Sequence, residues 1–392
     1  MLLTDTKYVP SARALVSQLQ KRAFETAAAR RVLPESVEAL RDAGLFRILQ
    51  ARRSGGFEES LHVHLDVVSE TSRGCGSTGW VLGVMHAHAW LMGTFGGESQ
   101  DDVYGSDPDA RVSAVLAPRG RADRVPGGYR VSGFWPFCSG VHHSQWLILG
   151  AMTEVSPDDG SPGPCLFLLR TAEAEVRDDW DVAGLAGTGS NSVVLKDVFV
   201  PSHRVISLSG LQNGTAPGID LHATTLYRSA AVPVLALFLC GPAIGIARNA
   251  LDVFRTRLGG KVIAYTFDQK QIDSAVTHLE LADAATRIDT ADTLLHRLVD
   301  EVEHFASRRE LMPFERRAKA RMDCAFAMRL CLEAVDSLFI ASGGSGLSNS
   351  NPLQIASRDL HAVNMHGLLT LKTNLETYGR LLAGLPANSP TI

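Results

Sequence analysis

Histidine side chains recur in close pairs along this sequence, and an imidazole can bind a metal or exchange a proton near neutral pH. The pairs are His62 with His64, His86 with His88, and His142 with His143. Two histidines this close together on a helix point in diverging directions, so their spacing disfavours a shared metal ion. We therefore expect no metal site.

Four histidines remain as candidates for proton transfer. His86 and His88 lie in the strongly apolar run VLGVMHAHAWLMGTF, where a histidine is commonly a hydrogen-bonded core residue. His361 and His366 lie in RDLHAVNMHGLL, and their separation of five places them well apart around a helix. At most one residue of that second pair can therefore face a given site, and the residue types alone leave the choice open.

Three segments combine glycine with hydroxyl side chains. GFWPFCSG, over 133–140, is an aromatic run that ends in Ser-Gly and offers a flat apolar wall beside hydrogen-bonding groups. GLAGTGSNS, over 184–192, contains small residues that let the backbone approach a ligand closely. SGGSG, over 342–346, precedes a helix start, where exposed amides can hold an anion. Taken singly, each is also compatible with an ordinary turn or helix cap.

The composition is that of an ordinary globular protein, with 392 residues of which 45% are hydrophobic. A net charge of -4 and the lack of a Lys/Arg run argue against a nucleic-acid partner. No basic stretch precedes an apolar block at the start, and no segment reaches about 18 uninterrupted apolar residues. Six cysteines without CxxC spacing fit a reducing compartment. We expect a cytoplasmic protein with no membrane insertion.

The order of secondary-structure patterns predicts three domains. Residues 1–110 have helical periodicity, with Pro34 suited to a first turn and Gly44 to a helix stop. Residues 111–212 hold short β-branched and aromatic runs bounded by Gly, Pro, Asp and Ser, which predicts a central β-domain. Over 213–392 the helical period returns in four long stretches, which predicts a four-helix bundle. The predicted fold class is α+β.

This domain order, the chain length and the glycine-rich segments resemble the acyl-CoA dehydrogenase superfamily over essentially the whole chain. Within it, the sequence is most similar to the two-component flavin monooxygenases. That branch includes the oxygenase components of 4-hydroxyphenylacetate and steroid-phenol hydroxylases, dibenzothiophene monooxygenase, indole oxygenases and amino-sugar N-oxygenases. The resemblance implies an acyl-CoA dehydrogenase-like fold that binds a flavin.

The residues that the resemblance implies for cofactor binding come from all three glycine-containing segments. They are Trp135, Phe137, Cys138, Ser139, Thr188, Ser190, Gly343, Gly344 and Gly346. By the family's pattern, Ser139 would bond near N5 of the isoalloxazine, and the hydroxyl of Thr188 or Ser190 would donate to the cofactor. The 342–346 turn would meet the phosphate or ribose, often on a neighbouring subunit.

A fourth segment separates two chemistries. Many acyl-CoA dehydrogenases carry a catalytic glutamate in a pattern like RDxxxxxxxEGT, where a carboxylate takes a proton α to a thioester. Here the segment begins Arg358-Asp359, and Gly367 occupies the place of that glutamate. Its neighbour His366 matches a histidine of the hydroxylase branch, where an imidazole can bond a flavin peroxide oxygen or take a substrate proton. We therefore prefer His366 to His361 as a catalytic residue.

His88 is similar to the histidine of a His-x-Trp in the hydroxylases, which reaches the substrate and can deprotonate a phenol. His86 is the structural alternative beside it. The run after His366, GLLTL, is apolar, which favours a polycyclic, indolic or terpenoid-linked aromatic substrate over a simple hydrophilic phenol. The predicted catalytic residues are His366, His88 and Ser139.

The resemblance implies a reaction shared between two proteins. A separate NAD(P)H:flavin reductase would supply reduced FAD or FMN, O2 would give a C4a-hydroperoxide, and one oxygen atom would pass to the substrate. No GxGxxG fingerprint follows a strand, which fits a separate reductase. A homotetramer, as a dimer of dimers, is also implied. The alternatives are an acyl-CoA dehydrogenase with its base on another helix, an N- or S-oxygenase, and a flavin-free scaffold.

Overall fold

The computed structural model describes residues 7–158, 160–389 and 392. Within these ranges the chain forms twelve α-helices and one seven-stranded β-sheet, with short 3₁₀ helices between several of them. The strands of the sheet fall between the fifth and the sixth helix in chain order. The α+β fold class predicted from the sequence is therefore confirmed.

The N-terminal layer consists of five helices. They are α1 (Tyr8–Ala28), α2 (Pro34–Asp42), α3 (Leu61–Gly74), α4 (Gly76–Thr94) and α5 (Gly97–Tyr104). Helix α2 begins at Pro34 as predicted, because the first turn needs no N–H donor, and Gly44 beyond its end has a φ of +70°. Helix α4 is buried along its whole length, which accounts for its apolar composition.

The β-layer is a single seven-stranded sheet. Its strands are β1 (Val112–Val125), β2 (Gly128–Trp135), β3 (Trp146–Thr153), β4 (Gly163–Arg170), β5 (Glu175–Val176), β6 (Val193–Pro201) and β7 (Val205–Ser207). Their order is β5-β6-β2-β1-β3-β4-β7, and the β1–β3 pair is parallel. Along β3, Ile148 joins the helical core while Leu149 joins a separate β-domain core. Burial of both faces explains the continuous apolar run of this strand.

The C-terminal layer contains seven helices. They are α6 (Leu208–Gln212), α7 (Ala231–Leu237), α8 (Gly241–Arg257), α9 (Ala275–Ser307), α10 (Phe314–Ala341), α11 (Pro352–Asn364) and α12 (Leu371–Leu382). The four predicted stretches are present, but the first divides before Pro242 and the last divides after Asn364. The stretch Ala231–Gly260 is long and apolar enough to cross a membrane, yet 89% of its apolar window is buried inside the fold. That burial is typical of a core helix.

Four ionisable side chains, which we call the histidine brace, join α3 to α9. The Nδ1 atoms of His62 and His296 lie 2.7 Å apart, so one donates and the other accepts. His62 Nε2 lies 3.0 Å from Asp300 Oδ1, and His296 Nε2 lies 3.4 Å from Asp66 Oδ1. Burial opposes protonation of His296, but the hydrogen bond to Asp66 and the nearby charge of Asp292 outweigh it and raise the pKa of His296.

We expect the histidine brace to stabilise the protein most at mildly acidic pH. Because the folded-state pKa of His296 is raised, its contribution is complete below the ordinary histidine value of about 6.5 and is lost as pH rises through the folded value. Thermal unfolding of the wild type and of His296→Gln, followed from about pH 6 to about pH 8.5, should show a difference that shrinks as pH rises. A difference that does not change with pH would contradict this account.

Candidate active site

A row of hydrogen-bonded groups lies where α4 meets the β-layer. The Trp80 indole Nε1 donates to Ser139 Oγ at 3.2 Å, and Ser139 Oγ lies 2.7 Å from Ser190 Oγ. Ser190 Oγ lies 2.7 Å from Thr188 Oγ1, which donates to the Leu185 carbonyl at 2.9 Å. All five residues are buried. We call this set the hydroxyl row, and it brings together three of the residues predicted from the sequence.

The direction of each hydrogen bond in the hydroxyl row follows from its fixed end. A hydroxyl has a single proton, and Thr188 uses its proton on the Leu185 carbonyl. Ser190 must then donate to Thr188, and Ser139 must donate to Ser190. Trp80 can only donate to Ser139. The Ser139 oxygen therefore keeps one unused lone pair, so it presents an acceptor to a ligand.

Backbone conformations that favour glycine occur at both ends of the row. Phe137 and Leu185 have φ values of +67° and +51°, which costs roughly 1–2 kcal/mol for a residue with a side chain. The two segments are tied together where the Gly140 N–H donates to the Thr188 carbonyl at 3.0 Å. Such strain persists only where the surrounding structure holds it, and it is concentrated at functional sites.

His366 lies against Trp80, with the ring centroids 5.9 Å apart. The sequence predicts a helix that includes both His361 and His366, but α11 ends at Asn364 and His366 lies in the following turn, where Gly367 disfavours a helix. In that turn the Leu368 N–H donates to His366 Nδ1 at 3.3 Å, so the neutral ring carries its proton on Nε2. Burial lowers the pKa of His366 to about 4, and the ring is neutral at neutral pH.

His88 is buried on α4, two turns beyond Trp80. Its Nδ1 lies 2.9 Å from the Val112 carbonyl oxygen, so Nδ1 carries the proton and Nε2 keeps a lone pair. Burial lowers the pKa of His88 to about 4 despite this bond. Ser113, which follows Val112 in β1, donates to the Ser139 carbonyl at 2.9 Å. Consecutive residues at the start of β1 therefore fix both His88 and Ser139.

The two imidazoles offer complementary groups to a ligand. His366 presents an Nε2–H donor, whereas His88 presents an Nε2 acceptor. Trp80 and His88 are about 12 Å apart along the axis of α4, at about 1.5 Å per residue. His88 and the hydroxyl row can therefore contact two different molecules, or two ends of one molecule.

The alternative histidines make structural contacts. His86 is fully buried, and its Nδ1 lies 2.9 Å from the Nδ1 of His64. His361 has a side chain that is 48% exposed, and its Nδ1 lies 2.8 Å from the Ser357 carbonyl oxygen. Among the hydrogen bonds of the described residues, neither imidazole reaches the hydroxyl row. Their surroundings match a core residue and a surface residue.

The side chains of Trp135 and Cys138 lie in the β-domain core, and a role of these two residues in flavin binding stays a prediction. Both side chains are fully buried, and the Trp135 Nε1 donates to the Gly150 carbonyl at 2.7 Å. Burial raises the pKa of the Cys138 thiol to about 12, so it stays protonated. Phe137 remains a candidate wall, because its ring is 67% exposed and stands edge-on to Trp180.

The glycines predicted to bind a phosphate lie in the turn between α10 and α11. They are Gly343, Gly344 and Gly346. The first two are exposed, and Lys261 donates to the Ser342 carbonyl beside them. They do not belong to the hydroxyl row of their own chain, so their predicted role concerns a neighbouring subunit.

Trp80 and Ser113 are site residues that the sequence analysis did not select. Trp80 occurs within a uniformly apolar helix, and Ser113 opens an ordinary strand. The spacing along α4 could have indicated Trp80. It precedes His88 by eight residues, about two helical turns, so both side chains lie on a similar side of the helix.

Comparison with known proteins identifies the family. The model of the family described as Acyl-CoA dehydrogenase, C-terminal domain, matches residues 237–370. Flavin-dependent monooxygenase, oxygenase subunit HsaA, of Rhodococcus jostii (strain RHA1) is 35% identical over 374 residues, which cover 95% of this chain and 97% of that protein. The chain belongs to the flavin-dependent monooxygenases, as an oxygenase component.

Two further relatives of this oxygenase component agree with that assignment. The oxygenase component of FADH2-dependent resorcinol hydroxylase from a Rhizobium species is 34% identical, covering 88% of this chain and 86% of that protein. The solved structure of XiaF from a Streptomyces species, in complex with FADH2 and glycerol, matches with a TM-score of 0.91 and 29% identity over 98% of this chain and 97% of that one. The oxygenase component thus has the predicted acyl-CoA dehydrogenase-like fold. It uses reduced flavin and O2 with a separate reductase and a small-molecule substrate.

Proposed function

We propose that the oxygenase component binds the isoalloxazine of reduced FAD or FMN against the hydroxyl row. The observation that carries this proposal is the unused lone pair of Ser139 Oγ, which the direction of the row leaves free. N5 of reduced flavin carries a proton and donates, whereas N5 of oxidised flavin only accepts. The residues present therefore fit the reduced form, and the exposed Phe137 ring supplies an apolar surface nearby.

The proposed substrate is an apolar aromatic compound with a phenolic or heteroaromatic group that meets His88. A neutral imidazole with a free Nε2 lone pair can take a phenolic proton, and a phenolate is the stronger nucleophile. The phenolate's negative charge would in turn raise the low pKa of His88 and stabilise the imidazolium. The two residues that follow Gly367 are apolar and pack in the hydrophobic core, where Leu369 is fully buried and Leu368 partly buried. The proposed reaction is hydroxylation at carbon.

When bound, reduced flavin supplies the electrons that activate O2 for transfer of one oxygen atom to the substrate. The protein orients the substrate, excludes water and holds protons at defined atoms. Ser139 Oγ accepts a hydrogen bond, His366 Nε2–H donates one to an oxygen atom, and His88 Nε2 takes the substrate proton. Each of these roles follows from the tautomer or hydroxyl direction that the neighbouring groups impose.

Anaerobic titration with the two redox states of flavin tests this proposal. Reduced flavin should bind more tightly than oxidised flavin, and turnover should require an added reductase. Tightly held oxidised FAD that is bleached by acyl-CoA without O2 would contradict the proposal and favour the dehydrogenase alternative. A lack of affinity for either redox state would favour a flavin-free scaffold, and oxidation confined to amines or thioethers would favour an N- or S-oxygenase.

We also propose a cytoplasmic homotetramer, a dimer of dimers, with domains over 1–110, 111–212 and 213–392. Large apolar side chains that are exposed on the C-terminal layer support association of subunits. They include Val276, Leu279, Ile340, Leu347 and Leu382. The 342–346 turn, in which Gly343 and Gly344 are exposed, would then meet the flavin phosphate of a neighbouring subunit. Light scattering during size-exclusion chromatography measures the mass of the assembly, which should be that of four chains.

A further inference from the structure

Asp359 is a buried carboxyl group at the end of the hydroxyl row. Its Oδ1 accepts from the Leu185 backbone N–H at 2.6 Å, and no ion pair of Asp359 occurs among the described residues. Burial raises the pKa of Asp359 to about 6. Removing a carboxylate from water without an ion-pair partner costs free energy, so stability alone does not account for this residue.

Three elements meet closely around this carboxyl group. A Cβ on Gly184 would collide with the Arg358 carbonyl oxygen, so α11 packs directly on the 184–185 backbone. A Cβ on Gly76, the first residue of α4, would lie 2.7 Å from Asp359 Oδ2. The carboxyl group is therefore enclosed between the 184–185 segment and the N-terminal end of α4, where the helix dipole favours a negative charge.

Asp359 and His366 hold opposite ends of the hydroxyl row. Leu185 contributes the carbonyl that ends the row, and its own N–H is held by Asp359 in a backbone conformation with φ of +51°. At the other end, Trp80 contacts His366, seven residues after Asp359 in the sequence. The segment from 359 to 366 thus contacts both ends of the hydroxyl row, Leu185 at one end and Trp80 on α4 at the other.

We propose that Asp359 is a positioning residue that holds the Leu185 carbonyl as the terminal acceptor of the row and so keeps Ser139 an acceptor for reduced flavin. This inference rests on the proposed flavin site. Without the Asp359 bond, the strained Leu185 N–H loses its acceptor, and the Leu185 carbonyl is held only by its other donors, Trp180 Nε1–H and the Thr188 N–H. Movement of this carbonyl then weakens the fixed acceptor of the Thr188 hydroxyl. The Ser139 hydroxyl becomes free to turn and donate to oxidised flavin. The preference for the reduced state should therefore weaken.

Two substitutions separate the hydrogen bond from the charge. Asp359→Leu is close in size but has no acceptor, whereas Asp359→Asn keeps Oδ1 as an acceptor and replaces the charged Oδ2 with a neutral NH2 group. Asp336→Asn is the matched control, because this partly exposed carboxylate of α10 contacts Ser357 on α11 away from the row. Ser139→Ala removes the acceptor itself and serves as the reference for a lost flavin contact.

Hydrogen exchange and flavin binding are measured on all four variants of the full-length protein. In Asp359→Leu, backbone exchange over 184–190 should rise about tenfold or more, and the ratio of oxidised to reduced flavin dissociation constants should fall about tenfold. Asp359→Asn should show smaller changes in both, while its melting temperature near neutral pH equals or exceeds that of the wild type, because a buried charge is gone. Asp336→Asn should match the wild type in exchange and ratio.

Unchanged exchange over 184–190 in Asp359→Leu would overturn the inference. An unchanged binding ratio in Asp359→Leu, with a reduced ratio in Ser139→Ala, would also overturn it while leaving the flavin site in place. An unchanged ratio in both variants would instead show that the hydroxyl row is not the flavin site, and the proposed function would fail with it.

If Asp359→Leu does not fold, the inference is tested instead by measuring the flavin binding ratio of the wild type and of Asp359→Asn over a series of pH values. The charged and titratable groups around the carboxyl are Arg358 and the Cys75 thiol, and burial raises the pKa of that thiol. The binding ratio of the wild type should fall as pH falls through about 6 and approach that of Asp359→Asn. Equal pH responses in the two proteins would overturn the inference.

Discussion

Replacing His88 by alanine should reduce hydroxylation by roughly 10² to 10⁴ while the oxidation of reduced flavin by O2 stays near its normal rate. That loss corresponds to about 3 to 5 kcal/mol of transition-state stabilisation. The reason is that His88 Nε2 has a free lone pair, held in place by the bond from Nδ1 to the Val112 carbonyl. Without it the substrate remains a neutral phenol. Product yield and released H2O2 are measured together, since H2O2 should replace the missing product.

Two control variants sharpen the test of His88. His88→Gln keeps a hydrogen-bond acceptor but cannot take a proton, so it should restore substrate binding more than rate. His361→Ala, at an exposed position, should behave like the wild type. Burial lowers the pKa of His88 to about 4. Protonation of His88 should therefore reduce hydroxylation only as pH falls through about 4. A normal product yield in His88→Ala would remove His88 from the active site.

The hydroxyl residues Ser139, Thr188 and Ser190 were predicted from the family resemblance, and local chain geometry explains why they lie together in the row. Gly140 and Gly189, with φ values of +71° and +55°, make the turns that present Ser139 and Ser190. These turns are brought together by the antiparallel pairing of β2 with β6, in which Trp135 lies opposite Val193. Strands that pair in this way place the segment after one beside the segment before the other.

The contacts that the sequence did not indicate depend on where β2 ends and on long-range packing. Strand β2 ends at Trp135, whose side chain lies in the core, whereas Phe137 lies beyond the strand with a φ of +67°. The alternation of side chains along a strand therefore does not set the direction of the exposed Phe137 ring. The bond from the Leu185 N–H to Asp359 joins residues 174 positions apart, so no local pattern could indicate it.

The position of His366 shows a similar limit. The helical pattern over 358–364 predicts a helix that continues to His366, but α11 ends two residues earlier, at Asn364. Gly367 was the local signal for that stop, although it had been examined only as the residue in place of a catalytic glutamate. In the turn, the imidazole is oriented by the Leu368 N–H, an interaction that an uninterrupted helix would not provide.

Replacing His366 by alanine should change the reaction of reduced flavin with O2 even when no substrate is present. His366 presents its Nε2–H beside Trp80, and Trp80 donates to Ser139, so this imidazole lies on the proposed flavin side of the site. Losing a donor to a buried oxygen atom costs about 1–3 kcal/mol, so H2O2 release without substrate should rise about tenfold or more. Stopped-flow absorbance of reduced enzyme mixed with O2 measures this step directly.

The contrast between the two histidines is what makes the assignment testable. His88→Ala should leave the stopped-flow absorbance trace without substrate unchanged but should form less product. His366→Ala should change that trace even when no substrate is present. His366→Gln keeps an N–H donor and should recover part of the wild-type trace, which a merely structural role in the turn would not predict. Wild-type traces and normal product yield in both alanine variants would show that His88, His366 and the hydroxyl row do not form the active site. His88 would then be a core residue, and His366 a residue of the turn after α11.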